Sequence, residues 1–227
     1  PAEGTISTNS LTFTPANWDQ EQKVTVTGVD DLVADGNQNY TIITAVGAST
    51  DPLYNNLDPS DVTVSNSDNE TPGITVNPTA GLTTGEDGSK ANFDVVLNTQ
   101  PTANVTIVLN SDNLAEGTLS TDSLTFTPAN WNTAQPVTVT GVNDSITDGD
   151  IEYKVVTAAA VSTDPNYNNQ EVTDVSLSNK DNDTAGVSIA PTEITATEGG
   201  ANGTYTVALK SQPTAPVTIN LTTDNQI

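Results

Sequence analysis

The stretch Leu11-Thr12-Phe13-Thr14-Pro15-Ala16-Asn17-Trp18 returns letter for letter as Leu124-Thr125-Phe126-Thr127-Pro128-Ala129-Asn130-Trp131, 113 residues later. The offset holds on both sides of it. Val24-Thr25-Val26-Thr27-Gly28-Val29 returns at Val137–Val142, Ser49-Thr50-Asp51-Pro52 at Ser162–Pro165, and Asp68-Asn69 at Asp181-Asn182. Placing Glu3–Gly73 on Glu116–Gly186 needs no gap and matches about 42 of 71 positions. Gly73–Asn113 recurs as Gly186–Asn225 with one residue deleted, so that Gln100-Pro101-Thr102-Ala103 answers Gln212-Pro213-Thr214-Ala215. A period of this length repeats a whole domain, and about 110 residues is the size of one β-sandwich.

The phase of the repeat predicts three pieces. Residues 1–70 read as the C-terminal part of a first repeat, 71–183 as one complete sandwich and 184–227 as the N-terminal part of a third. Partial sandwiches leave strand edges and an apolar face open. The expectation is therefore completion, either by continuation of a tandem array or by head-to-tail strand donation between neighbouring copies.

Composition narrows the chemistry. Among 227 residues, 29 acids face 5 bases for a formal charge of −24, and Cys, His and Met are all absent. Disulfides, His- or Cys-dependent triads and the usual zinc, haem and iron–sulfur ligand sets are excluded. The field has the wrong sign for phosphate contacts, so nucleic acid is excluded as a partner. Apolar runs stop at four or five residues, too short for membrane insertion. Hydrophobic residues reach only 34%, yet they are mostly Val, Ile and Leu in alternation, and Thr occurs 39 times. Disordered acidic chains are poor in β-branched residues; this chain reads as folded and all-β.

In the complete repeat, strands are expected at Ile74–Asn77, Ala91–Asn98, Val105–Asn110, Leu124–Thr127, Val137–Val142, Tyr153–Val161 and Val172–Ser178. Val105, Ile107 and Leu109 share one face, as do Phe93, Val95 and Leu97. Turn residues separate them at Gly85-Glu86-Asp87-Gly88, Gln100-Pro101-Thr102, Asp148-Gly149-Asp150 and Asp164-Pro165-Asn166. Trp131, with its counterpart Trp18, reads as an anchor packing a loop across the sandwich end. Tyr167-Asn168-Asn169 and Tyr54-Asn55-Asn56 read as exposed hairpin tips.

The acids cluster. Glu86 lies in the first turn, Asp112 at a strand end, Asp144, Asp148 and Asp150 in one late loop, and Asp181 and Asp183 at the boundary with the next repeat. Asp31, Asp35 and Asp68 repeat Asp144, Asp148 and Asp181 in the preceding copy. Alternate loops of a sandwich gather at one end, so five or more carboxylates would crowd there without Lys or Arg to pair them. Such crowding is costly unless a cation neutralises it. Carboxylate and carbonyl oxygens without nitrogen or sulfur ligands suit Ca²⁺; a solvated acidic surface is the plainer alternative.

These residues resemble the pattern of the Calx-β domain, a sandwich module of exchangers, an integrin subunit and large bacterial surface proteins. Glu86, Asp112 ahead of Gly117-Thr118-Leu119, Asp144 with Asp148 ahead of Tyr153, and the closing Asp181-Asn182-Asp183 stand where that family carries its acids. The resemblance implies an immunoglobulin-like sandwich binding Ca²⁺. It extends the candidate ligands to Asp31, Asp35, Asp68 and Glu70 in the first copy and to Glu198 and Asp224 in the third. The chain departs from the pattern at Asp148, where a Glu is expected, at Ile151 and Gln38, where a second Glu is expected, and at Asn182. Fewer charged ligands imply weak binding, in the roughly 10⁻⁴–10⁻³ M range of extracellular modules.

The expected function is a non-catalytic, calcium-stiffened structural repeat of an extracellular bacterial adhesin, biofilm matrix protein or filament, with neighbouring copies of itself as partners. The alternative is an adhesion module binding a glycan or host surface, which few exposed aromatics favour. Paired carboxylates can hydrolyse glycosides, but these sit on loop tips without an aromatic cleft, so no enzyme is expected.

Overall fold

The computed structural model describes residues 2–224; the recurrence at Asn225 lies outside them. Among the described residues, all regular structure is β. The first partial repeat contributes β1 (Gly4–Ile6), β2 (Val26–Gly28), β3 (Gln38–Ile42) and β4 (Val62–Asn66). The central repeat contributes β5 (Ile74–Asn77), β6 (Leu82–Gly85), β7 (Lys90–Leu97), β8 (Val105–Ser111), β9 (Gly117–Leu119), β10 (Ser123–Phe126), β11 (Gln135–Gly141), β12 (Ile151–Thr157), β13 (Val161–Ser162) and β14 (Val175–Lys180). The third adds β15 (Val187–Ala190) and β16 (Thr206–Leu209).

The central repeat is an immunoglobulin-like sandwich. One sheet runs β5-β7-β11-β9 and the other β10-β8-β12-β14-β6, with β13 on β8. Alternation works as the sequence implies: Phe93, Val95 and Leu97 of β7, Val105, Ile107 and Leu109 of β8, and Val137 and Val139 of β11 all point into a sealed core. Trp131 packs against that core, as an end anchor should.

Three strands escaped the sequence reading. β9 and β13 are too short to show a period, and β6 (Leu-Thr-Thr-Gly) pairs parallel to β14, buried without alternation. The expected strand Tyr153–Val161 ends at Thr157 because the Asp174 carboxylate takes the Thr157 N–H (2.9 Å) from the ladder. The Tyr167 tip is also corrected. Asp164 accepts from Thr102 N (2.7 Å) and Asn166 N (2.9 Å), which folds the loop inward. Tyr167 is then fully buried, and its hydroxyl donates to the Thr99 carbonyl at 2.7 Å. Tyr54, its counterpart in the partial repeat, is 63% exposed.

Candidate metal centre

The two strand pairings at one end of the sandwich bring distant acids together. Parallel register sets Gly85 beside Lys180, so the residues that follow, Glu86 and Asp181, leave the sheet side by side. Glu86 N–H donates to the Lys180 carbonyl (3.0 Å), and its buried carboxylate accepts from Asn182 N–H (3.0 Å). Asp181 accepts from Asp183 N–H (2.7 Å) and Gly149 N–H (2.8 Å), which turns the chain so that Asp183 faces Glu86. Glu86, Asp181 and Asp183 each offer an oxygen within 4.8 Å of the others.

On the facing sheet, β9 and β11 pair Gly117 with Gly141. Glu116 is thereby held at the sandwich end, 8% exposed, and accepts from Asn179 Nδ2 at 3.1 Å. With Asp144 and Asp148 it forms a second group within the same 4.8 Å limit. The first partial repeat reproduces it one period earlier as Glu3, Asp31 and Asp35. There a cleft of about 20 Å³ is lined by Glu3, Asp31, Asp35, Gln38, Asp68 and Glu70, and a cavity of this size holds about one small ion or water.

Electrostatics show the strain of these groups. Asn182 N–H, the largest single influence on Glu86, pulls its pKa down; burial and the charges of Asp144, Asp181 and Asp183 outweigh it and leave the pKa raised. Asp68 and Glu70 shift in opposite directions: backbone N–H groups, that of Glu70 first, lower the Asp68 pKa, while the hydrogen bond to Asp68 raises that of Glu70. One atom stands out. Asp183 Oδ2 is buried and has no hydrogen-bond partner among the described residues, although buried carboxylate oxygens are normally satisfied. The donor set there is all oxygen. An oxygen-seeking divalent cation fits it.

The remaining candidates lie apart from the three clusters. Asp112 is exposed and accepts from Lys154 N–H (2.7 Å), closing the end of β8 against β12. Asp150 is paired after all: Lys180 Nζ bonds its carboxylate and lowers its pKa. Glu198 sits in an exposed turn, and Asp224 is exposed outside any strand. Glu3 and Glu116 were missed in the sequence, although the gapless repeat begins at exactly that pair.

The loops bearing these acids also touch the next repeat. Gln100 N–H donates to the Leu32 carbonyl at 2.7 Å, and Gln212 N–H to the Ser145 carbonyl at 2.6 Å. Both pairs are the same contact one period apart. Asn166 Nδ2 adds a bond to Ala34 O (2.6 Å), and Thr147 Oγ1 one to Ser211 Oγ (3.0 Å).

No family model matches the sequence, and no curated protein matches it. Among solved structures, the chain is similar to the calcium binding domain CBD12 of CALX1.1 (TM-score 0.40, 12% identity, covering 61% of this chain and 70% of that one). It is similar to domains 4 and 5 of the S-layer protein SbsC (0.32, 16%, 79% and 98%). It is also similar to the periplasmic chaperone SfaE (0.39, 11%, 48%), of which it spans 58%. These likenesses are too distant to assign a role. The class defined by fold and site is a tandem all-β sandwich with acidic clusters at its repeat boundaries that could hold a metal.

Proposed function

We propose that this chain is a calcium-stiffened structural repeat of an extracellular bacterial adhesin, matrix protein or filament, without catalytic activity, built head to tail into a rod. One observation carries the reading: the loop that supplies Asp31 and Asp35, or Asp144 and Asp148, also accepts the hydrogen bond from the following repeat. A Ca²⁺ held by Glu86, Asp181 and Asp183, or by Glu116, Asp144 and Asp148, would supply the positive charge these carboxylates lack. It would also fix the loop on which the neighbour leans. The linkers Asp68–Gly73 and Asp181–Gly186 allow little slack. Each unit would advance the axis by roughly 40 Å, given about 27 Å for an eight-residue strand. Contacts limited to neighbours make such an array quasi-one-dimensional.

Thermal unfolding of the chain in EDTA, in Mg²⁺ and in about 5 mM Ca²⁺, a concentration at which weak extracellular sites fill, tests this. At roughly 5 to 50 times a dissociation constant of about 10⁻³–10⁻⁴ M, the ion adds about 1–2 kcal/mol per site, a rise of several degrees. Equal melting in EDTA and Ca²⁺ would reduce the acids to a solvated surface.

A further inference from the structure

We propose that the parallel β6–β14 pair is a force clamp, which lets the central repeat carry tension along the chain without unfolding. This deepens the rod reading and rests on it, since a rod that tethers is loaded end to end. Tension enters the repeat at Gly73, runs through β5 into the Leu82 end of β6, and leaves from the Lys180 end of β14. β6 and β14 run parallel, Leu82 opposite Leu177 and Gly85 opposite Lys180. The load therefore draws β6 backward and β14 forward, sliding one strand along the other. The bonds of a parallel ladder are evenly spaced and run between the strands, so they lie across this load and must fail together. Strands pulled apart from one end would lose them one at a time.

The pair is reinforced beyond its ladder. Ser176 N–H donates to the Thr79 carbonyl (2.9 Å) at the start of the pair, and Glu86 N–H to the Lys180 carbonyl (3.0 Å) at its end. Between them Thr84 Oγ1 donates to Asn179 Oδ1 at 3.0 Å, and both side chains are 1% exposed. Water is thus kept from exchanging with the loaded bond, and a hydrogen bond is stronger in the protein interior than in water. Upstream, β5 lies antiparallel on β7. It is held there by Asn98 N–H on the Gly73 carbonyl (2.9 Å) and by Thr75 Oγ1 on Asn98 Oδ1 (2.7 Å).

The acids meet the clamp at its far end. Glu86 follows β6 directly, and Asp181 and Asp183 follow β14. The cation proposed for this group would tie the two loaded strands where the chain leaves the repeat, so Ca²⁺ should raise the force that the clamp withstands.

Single-molecule pulling on the full chain, in EDTA and in Ca²⁺, tests this. The chain has no cysteine of its own, so paired cysteines choose the direction of load. Thr71→Cys with Thr184→Cys, both exposed, loads the repeat along the clamp. Asp87→Cys with Thr184→Cys, also exposed, pulls the same two strands apart from one end. The first pair should rupture in one step that frees roughly 350 Å, about 110 residues at about 3.3–3.6 Å each less the folded span. It should do so at a several-fold higher force than the second. Leu124→Ala, in the core strand β10 off the load path, should lower the melting point while the clamp force holds, since forced unfolding follows the unfolding barrier. Equal forces in the two directions would overturn the clamp, as would a force that falls in step with the melting point of Leu124→Ala. A directional clamp that gains nothing from Ca²⁺ would uphold the clamp and sink the calcium reading; a Ca²⁺-raised force without direction would do the reverse.

Discussion

At the residue scale, Glu86 shows how position turns an ordinary side chain into a candidate ligand. In the cation-free chain its pKa is raised, burial and three neighbouring acids outweighing the Asn182 N–H. A raised carboxyl contributes stability that is complete below its unfolded pKa, about 4.3, and lost as pH climbs through the folded value. In EDTA, therefore, Glu86 should make the central repeat melt higher near its unfolded pKa than at neutral pH, and Glu86→Gln should flatten that slope. The Asp150–Lys180 pair works oppositely and in another window. Its lowered pKa gives stability present above about 3.9 and lost only as pH falls further. Saturating Ca²⁺ should reverse the Glu86 slope, because the ion binds the carboxylate. A melting curve taken at pH 5 and pH 7, with and without Ca²⁺, checks the sign; a slope that Glu86→Gln leaves intact would move the effect elsewhere.

At the scale of elements, the parallel β6–β14 pair is the device that assembles the first cluster, and its seat is tight. A Cβ on Gly141 would lie 2.2 Å from the Gly85 carbonyl oxygen and 2.6 Å from Asn179 Oδ1. The carbonyl is backbone and cannot step aside. Gly141→Ala should thus cost about 1–3 kcal/mol, the usual penalty for overpacking, and shrink the Ca²⁺-induced rise by displacing Glu86. Gly28, one period earlier, meets only the Asn66 side chain, so Gly28→Ala should cost less. Chemical denaturation of the two variants side by side measures the difference. Equal losses would mean that β6 does not press on Gly141.

At the scale of the whole molecule, the repeats are coupled through loops that also carry the acids. Bonds from Gln100 and Gln212 to the preceding loop recur at both junctions, so a looser loop should give a looser junction. Chelation should loosen it. Small-angle scattering of dilute chain should show a smaller radius of gyration in EDTA than in Ca²⁺, and Asp144→Asn with Asp148→Asn should abolish the difference at that junction. Superimposable curves would mean that the hydrogen bonds alone hold the junction.

The sequence determined the period, the all-β class and most strands, because β-branched residues at every second position leave one way to bury a face. It also marked the acids of the late loop and the repeat boundary, since they recur at loop positions. It could not reveal β6, whose burial comes from a parallel neighbour nearly a hundred residues away, nor Glu116 and Glu3, which look like ordinary acids ahead of a short strand. Tyr167 looked exposed because nothing local announces that Asp164 draws its loop inward. Which acids meet was decided only by tertiary structure: a charge cluster depends on distances of a few ångströms, set by strand register across the sheet and not by spacing along the chain.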